Sequence, residues 1–452
     1  MVHKFKFKDN HILVDVNSGS IHIVDKIVYD IIENILEKSI DEIVSIYSAN
    51  YSEVDLLEAI EEIKGLQNQK MLFTENPDFR MEEIENRKAV IKAICLHIAH
   101  DCNMRCQYCF ADQGAFYGKP SLMSEDTGKK AIDFLLNNSG NRKNLEVDFF
   151  GGEPLMNFEV VKKLVAYGKE KEKILEKNIR FTITTNGLLL DDEKGDFINK
   201  EMDNVILSID GRPSINDKMR KTVNGKGTYD LIKENYLKFI GKREGLYYVR
   251  GTFTRENLDF ASDVAHLINE GFNNISIEPV VLLENHPVSL RNSDIEAIKL
   301  EYEKLADYYL EAVKANREFE FFHFNIDFDQ GPCMIKRLSG CGAGTEYVAI
   351  SPDGEIYPCH QFVGKTEYLM GNVYDEKFTN KYYDQFNSAH ILNKPECWNC
   401  WAKFYCSGGC HANALNFNGD IKKPYLLGCE MEKKRVECAI GIKAELINTT
   451  NN

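Results

Sequence analysis

The stretch HIAHDCNMRCQYCF, residues 97–110, sets Cys102, Cys106 and Cys109 in C-x3-C-x2-C spacing at the end of an apolar run. Three thiols are one fewer than the four that close a structural zinc site or an iron–sulfur cluster. No Cys or His follows within zinc-finger spacing, because the next cysteine is Cys333. His97 and His100 stand upstream and could complete a zinc site, but both read as strand residues. The fourth position is therefore either supplied from elsewhere or left open for chemistry.

The chain around this stretch has three parts. From residue 93, apolar strand candidates centred on 93–99, 145–150, 180–185, 204–209, 247–253 and 275–280 alternate with helical patterns at 126–137, 158–173, 229–240 and 260–270. Six β-α units give a parallel sheet with helices outside. Six is too few for the closed eight-unit barrel, so an open partial (β/α)6 barrel over 93–320 is expected, with its chemistry at the C-terminal strand ends. Upstream, strands at 4–8, 11–16 and 20–24 precede three helical stripes. The first begins after Asp25, the second covers 40–48, and the third follows Ser52 and Asp55, which resemble a capping box. That order suggests a winged-helix-like unit over 1–75 whose strand edge could receive an extended peptide. A charged linker follows at 76–92. Downstream, over 321–440, periodicity fades into turns and cysteines, a composition that needs metal to hold a small core. Residues 441–452 read as a tail, ending in a frayed INTTNN.

Composition narrows the function. The 452 residues carry 55 Lys+Arg against 70 Asp+Glu, a net charge of −15, which argues against non-specific nucleic-acid binding. The first residues alternate polar and apolar and resemble neither a signal peptide nor a membrane anchor, so a cytoplasmic protein is expected. Thirteen cysteines in a reducing compartment point away from disulfides, and their bunching at 102–109, 333–359 and 397–410 points to metal ligation.

With Tyr108 before its last cysteine, the three-Cys motif resembles that of the radical S-adenosylmethionine (SAM) superfamily. There the open iron of a [4Fe–4S] cluster holds the amino and carboxylate groups of S-adenosylmethionine. The resemblance implies that Gly151, Gly152 and Glu153, in the VDFFGGEPL stretch, lie near the cofactor's ammonium. It places Thr185 and Asn186 (TITTNG) and Ser208, Asp210 and Arg220 (ILSIDG…NDKMR) near its ribose and carboxylate. Arg220 could otherwise be an exposed arginine at a helix start. Farther on, Cys341-x12-Gly354-x4-Cys359, Cys397-x2-Cys400-x5-Cys406-x3-Cys410 and Cys429 resemble the SPASM domain of peptide-modifying radical enzymes. That family implies two auxiliary [4Fe–4S] clusters, hence three clusters in all. Cys397, Cys400, Cys406 and Cys429 would hold the second auxiliary cluster; Cys341, Cys359 and Cys410 would hold the first. Cys333 is either the fourth ligand of the first auxiliary cluster, or that iron is open to a substrate thiol. Cys95 and Cys438 fit neither array and read as packing residues. His360 follows Cys359, where some relatives carry an acid/base.

The stretch GCGAGTEYVAISPDGEIYPCHQFVG is similar to that of the SCIFF maturases, which act on six-cysteine peptides. This resemblance implies a thioether from a Cys sulfur to a Thr α-carbon in a Cys-rich precursor peptide with a leader, supported by an external electron donor. The competing expectations are a sulfatase-maturing, formylglycine-forming enzyme and a zinc-stapled peptide-binding scaffold.

Overall fold

The computed structural model describes residues 1–86, 90–317, 319–328 and 337–450. Cys333 lies outside the described residues. Strands β1 (Val2–Phe7), β2 (Asn10–Asp15) and β3 (Ile21–Val24) pair antiparallel in that order. Three helices follow: α1 (Lys26–Ile31), α2 (Ile40–Tyr47) and α3 (Glu53–Asn68). The Asp25 side chain caps α1 by accepting the Val28 N–H. The full reciprocal capping box forms at Ser39 and Glu42. At Ser52 only half of it forms: the hydroxyl accepts the Asp55 N–H at 3.1 Å, and Asp is a methylene shorter than the Glu that would reach back.

Side chains alternate across the small sheet and give it two cores. Leu13 joins Val28, Ile31, Ile43, Leu56, Ile60 and Ile63 under the helices. Phe5, Phe7, Ile12 and Val14 face the other way and belong to the main core. The first 75 residues are thus an ordered unit that also leans on the rest of the protein.

The main sheet is built from β4 (Ala93–His100), β5 (Asn144–Gly151), β6 (Asn178–Thr185), β7 (Asn204–Ser208), β8 (Leu246–Phe253) and β9 (Asn274–Pro279), all parallel. Helices α4 (Glu125–Asn138), α5 (Phe158–Leu175), α6 (Asp192–Glu201), α7 (Tyr229–Ile240), α8 (Phe260–Asn269) and α9 (Ile295–Lys314) lie between or after them. Alternate strand residues such as Ile94, Leu96, Val147, Phe149, Phe181, Val205 and Ile277 are buried in the main core with these helices. The intervening residues, including Asp148, Thr182, Ser208, Arg250 and Glu278, belong to the concave face.

Among the described residues the sheet does not close. Three further short strands follow β10 (Glu320–Phe321): β11 (Tyr347–Ile350), β12 (Glu355–Tyr357) and β13 (Gly371–Asn372). The order is β10-β9-β8-β7-β6-β5-β4-β11-β12-β13. Strand β11 runs parallel to β4, with Cys95 opposite Ala349, so the cysteine-rich region grows directly out of the barrel sheet.

The last helix, α10 (Leu426–Thr450), corrects the expected tail. Ile442 and Ala444 lie in the main core, and α10 packs along α9 and against β1 and β2. Phe7 fills the space beside Gly441 so closely that a Cβ there would sit 2.2 Å from its ring. The packing of Ile442 and Ala444 is tertiary and its partners lie far off in sequence, so no local pattern reveals it.

Candidate active site and cysteine clusters

The loop after β4 carries Cys102, and residues Met104–Cys106 then pair antiparallel with Arg220–Thr222, placing Arg220 opposite Cys106. Arg220 is not an exposed helix-start residue. It follows the helix Pro213–Met219 and is buried. The Tyr108 hydroxyl lies 2.8 Å from both Asp210 carboxylate oxygens and accepts from Arg220 Nη1 at 3.0 Å. Asp210 also accepts the Thr252 N–H at 3.1 Å. Its carboxylate is therefore taken up in clamping the cysteine loop to β8, a different set of contacts from the cofactor contact expected of it. Burial pushes Asp210 up to about 6, against the pull of Arg220.

Burial pushes Cys102 up to about 12, with Glu153 and then the charges of Cys106 and Cys109 acting in the same direction. Burial pushes Cys106 up to about 11, opposed by Arg220. Thiols in such a place stay protonated until a metal replaces the proton. Among the described residues, no three His, Cys, Asp or Glu side chains close to single-ion spacing.

Strand β5 ends beside this loop. A Cβ on Gly152 would lie 2.0 Å from the Asp101 carbonyl oxygen, which already accepts the Glu153 N–H at 2.9 Å. Only glycine permits that approach. The buried Glu153 carboxylate accepts from the Leu155 N–H at 3.0 Å and the Thr185 hydroxyl at 2.8 Å on Oε1, and from the Asn186 N–H at 2.7 Å on Oε2. Asn186 in turn donates to Asn103 Oδ1 at 2.7 Å and points Nδ2 at Cys102 Sγ, 3.6 Å away. Glu153, Thr185, Asn186 and the first cysteine thus form one cluster. Burial pushes Glu153 up to about 7 despite these bonds. A carboxylate has about four acceptor positions, so one remains for a cation. The geometry and donor set fit the ammonium of S-adenosylmethionine beside a thiolate-held cluster. Ser208 lies half-buried at the end of β7, its carbonyl accepting from Tyr236.

The concave face adds residues that the motifs do not single out. Arg250 Nη2 lies 3.6 Å from Glu278, which His323 approaches at 3.3 Å, and Arg435 donates to His323 Nδ1 at 2.8 Å. Burial pushes Asp148 up to about 7. His360, reaching over from the C-terminal region, bonds Tyr347 at 3.2 Å and packs on Phe150 and Phe110. The period-two alternation of β5 and β8 could have flagged Asp148 and Arg250, since each falls on the face opposite the apolar one.

The C-terminal cysteines fall into two groups. Cys397, Cys400, Cys406 and Cys429 line one cavity of about 170 Å³. Cys341, Cys359 and Cys410 form the other: burial raises Cys359, and the charges of Cys341 and Cys410 add to it. Cys95 and Cys438 are fully buried, as packing residues are.

Residues 96–254 match the radical SAM superfamily, and residues 341–401 match the SPASM iron–sulfur cluster-binding domain. The chain thus carries a radical SAM region followed by a SPASM region. It is similar to the radical SAM cyclopropyl synthase TigE of Paramaledivibacter caminithermalis, at 26% identity over 81% of this chain and 77% of that protein. It is also similar to a cysteine-type anaerobic sulfatase-maturating enzyme of Clostridium novyi, at 25% over 69% and 86%. Among solved structures, native anSMEcpe with bound AdoMet has a TM-score of 0.65 at 20% identity, covering 80% of this chain and 99% of that one. Streptococcus suis SuiB bound to precursor peptide SuiA has a TM-score of 0.54 at 15%, covering 94% and 97%. The radical SAM/SPASM fold therefore spans the partial barrel and its cysteine-rich extension. None of the described helices is long and apolar enough to cross a membrane.

Proposed function

We propose that this radical SAM/SPASM enzyme oxidises a residue of a peptide or protein substrate. The observation that carries the reading is the cluster of three thiols, the buried Glu153 carboxylate and Asn186 at the ends of β4, β5 and β6. When bound, a reduced four-iron cluster and S-adenosylmethionine supply a 5′-deoxyadenosyl radical that removes a substrate hydrogen atom. Cys102, Cys106 and Cys109 hold that cluster. Glu153 binds the ammonium, and Arg220 offers its planar fork to the carboxylate. Thr185, Asn186 and Ser208 border the ribose. Asp210 positions the cysteine loop through Tyr108. Cys341, Cys359 and Cys410 hold one auxiliary cluster, and Cys397, Cys400, Cys406 and Cys429 hold the other. The electron that starts each turnover comes from an external donor.

Of the two finer chemistries, formylglycine formation has the broader support. Cysteine-type and serine-type sulfatase-maturating enzymes match across most of the chain, and anSMEcpe was also solved with a Kp18Cys peptide. Thioether closure from a Cys sulfur to a Thr α-carbon is the second reading. It is favoured by the N-terminal unit, whose β3 edge pairs with no strand among the described residues, and by the wider coverage of SuiB, a protein solved with its precursor peptide. The two products differ in composition. Formylglycine loses the cysteine sulfur and gains an aldehyde oxygen from water. A thioether loses two hydrogens and leaves one thiol unable to alkylate. Mass spectrometry after anaerobic turnover, with hydrazide capture for the aldehyde, separates them; recovery of neither product sinks both.

Two outcomes follow. Ile23 sits exposed on the β3 edge and away from both cores. If a leader adds to that edge, Ile23→Lys lowers kcat/KM on a leader-bearing peptide by about tenfold, the order of 1–2 kcal/mol in binding. Cleavage of S-adenosylmethionine without peptide stays unchanged. The formylglycine reading expects no effect on either rate.

The second outcome concerns pH. Glu153, raised to about 7, must be ionised to hold an ammonium. Affinity for S-adenosylmethionine should rise about tenfold per pH unit below that value and level off above it. Stability runs the opposite way. A carboxyl group raised on folding favours the protonated state, so the ligand-free protein loses Glu153's share as pH rises from the unfolded value through about 7. Calorimetric titrations of wild type and Glu153→Gln check both signs: the variant should bind weakly with no pH slope from this group.

A further inference from the structure

Lys394 is fully buried, with no measurable exposure. A buried ammonium is costly unless anions face it, and lysine is almost never found in such a place unpaired. Among the described residues Lys394 makes no ion pair with a carboxylate. Its Nζ donates to one oxygen, the Gly408 carbonyl, at 2.8 Å, which leaves two of its three donor positions open.

Gly408 belongs to the loop Cys406-Ser407-Gly408-Gly409-Cys410. Ser407, Gly408 and Gly409 all have positive φ, at 59°, 87° and 73°. This left-handed run turns the Gly408 carbonyl inward onto Lys394. The loop also joins the two thiol groups, since Cys406 lines the four-thiol cavity while Cys410 stands with Cys341 and Cys359. Within electrostatic reach of Lys394 lie the sulfurs of Cys397, Cys406, Cys410 and Cys429, drawn from both groups, which become anions only when a metal replaces their protons. His411 is also a neighbour; burial pushes it down to about 4, so it adds no charge near neutrality.

We propose that Lys394 is a positioning residue shared by the two auxiliary clusters, its ammonium raising the reduction potential of both. The inference rests on the reading that both thiol groups hold clusters, and iron and sulfide counts on the wild type decide that separately. A cation beside an iron–sulfur cluster favours the reduced, more negative state, because net charge and hydrogen bonds to the sulfurs set the potential. A charge close to both clusters acts on both.

The test uses anaerobically reconstituted full-length protein with Lys394→Met and Lys394→Arg. Redox titrations followed by electron paramagnetic resonance should show both auxiliary midpoint potentials shifted downward in Lys394→Met, with the cluster held by Cys102, Cys106 and Cys109 unmoved. Lys394→Arg, which keeps the charge, should return both toward the wild-type values. The iron-free protein gives a second readout that needs no cluster. There the buried ammonium lacks its anions, so Lys394→Met should melt at a higher temperature than wild type. A lower melting temperature in iron-free Lys394→Met would mean that the side chain only ties down Gly408. That result, or a shift confined to one auxiliary cluster, or unmoved potentials, overturns the proposal.

Discussion

Alanine at Cys106 is expected to abolish S-adenosylmethionine cleavage while leaving the iron held by the C-terminal cysteines in place. Cys106 sits in a two-stranded ribbon directly opposite Arg220, so its backbone is fixed by that pairing whatever side chain it carries. The change removes one of only three thiols in the loop and leaves the ribbon itself intact. Two thiols cannot hold a four-iron cluster against solvent. Iron content should fall by one cluster's worth, and formation of 5′-deoxyadenosine should drop to the level of iron-free protein. Arg220→Met is the informative partner. It keeps the thiols but removes the cation that opposes the burial of Cys106 and Asp210. That variant should retain its iron and lose affinity for the cofactor. If Cys106→Ala still cleaves S-adenosylmethionine, the loop is not the cluster's ligand set.

Gly152→Ala should be nearly as damaging, for a reason that has nothing to do with charge. The added methyl carbon would lie 2.0 Å from the Asp101 carbonyl oxygen, and backbone on both sides leaves no flexible side chain to give way. Relief requires β5 to part from the cysteine loop. That breaks the Glu153 N–H bond to Asp101 and the Gly152 N–H bond to Ala99, and it moves Glu153 away from Thr185 and Asn186. Overpacking against backbone should cost about 3 kcal/mol or more. Thermal melts of the iron-free protein would read that loss, and titration with S-adenosylmethionine would show binding lost with it. An alanine variant that melts and binds like wild type would mean that the close approach has no part in building the site.

Much of this site is legible in the sequence because its parts are local. The spacing of Cys102, Cys106 and Cys109, the Gly-Gly-Glu-Pro turn and the six apolar runs each occupy a few consecutive residues, and strand periodicity places them at one end of the sheet. The contacts that are not legible join residues far apart in the chain. Nothing near Arg220 says that it pairs with Cys106, more than a hundred residues away, or that Tyr108 and Asp210 are bonded. A strand-end position makes Asp210 look like a cofactor contact; only the packing of β7 against β8 shows its oxygens occupied by Tyr108 and Thr252. The last helix escapes a sequence reading for the same reason. Local pattern does not announce it, whereas the faces of α9, β1 and β2 hold α10 in place. Lys394 looks in sequence like any surface lysine before a proline, and its burial emerges only once the Cys406–Cys410 loop has folded over it.

The pairing of β11 with β4 bears on how this protein could be engineered. Strand β4 is buried on both faces and has β5 on one side and β11 on the other. A chain truncated before residue 347 would therefore not be a lone catalytic barrel. It would bare the backbone edge of Ala93–Leu96 in an apolar strand, the kind of edge that recruits other chains into aggregates. Modular exchange, in which the metal-rich end of one such protein is grafted onto the barrel of another, has to carry β11 and its hairpin partner β12 with the barrel. The seam for swapping lies beyond Tyr357, inside the cysteine-rich region and not in front of it.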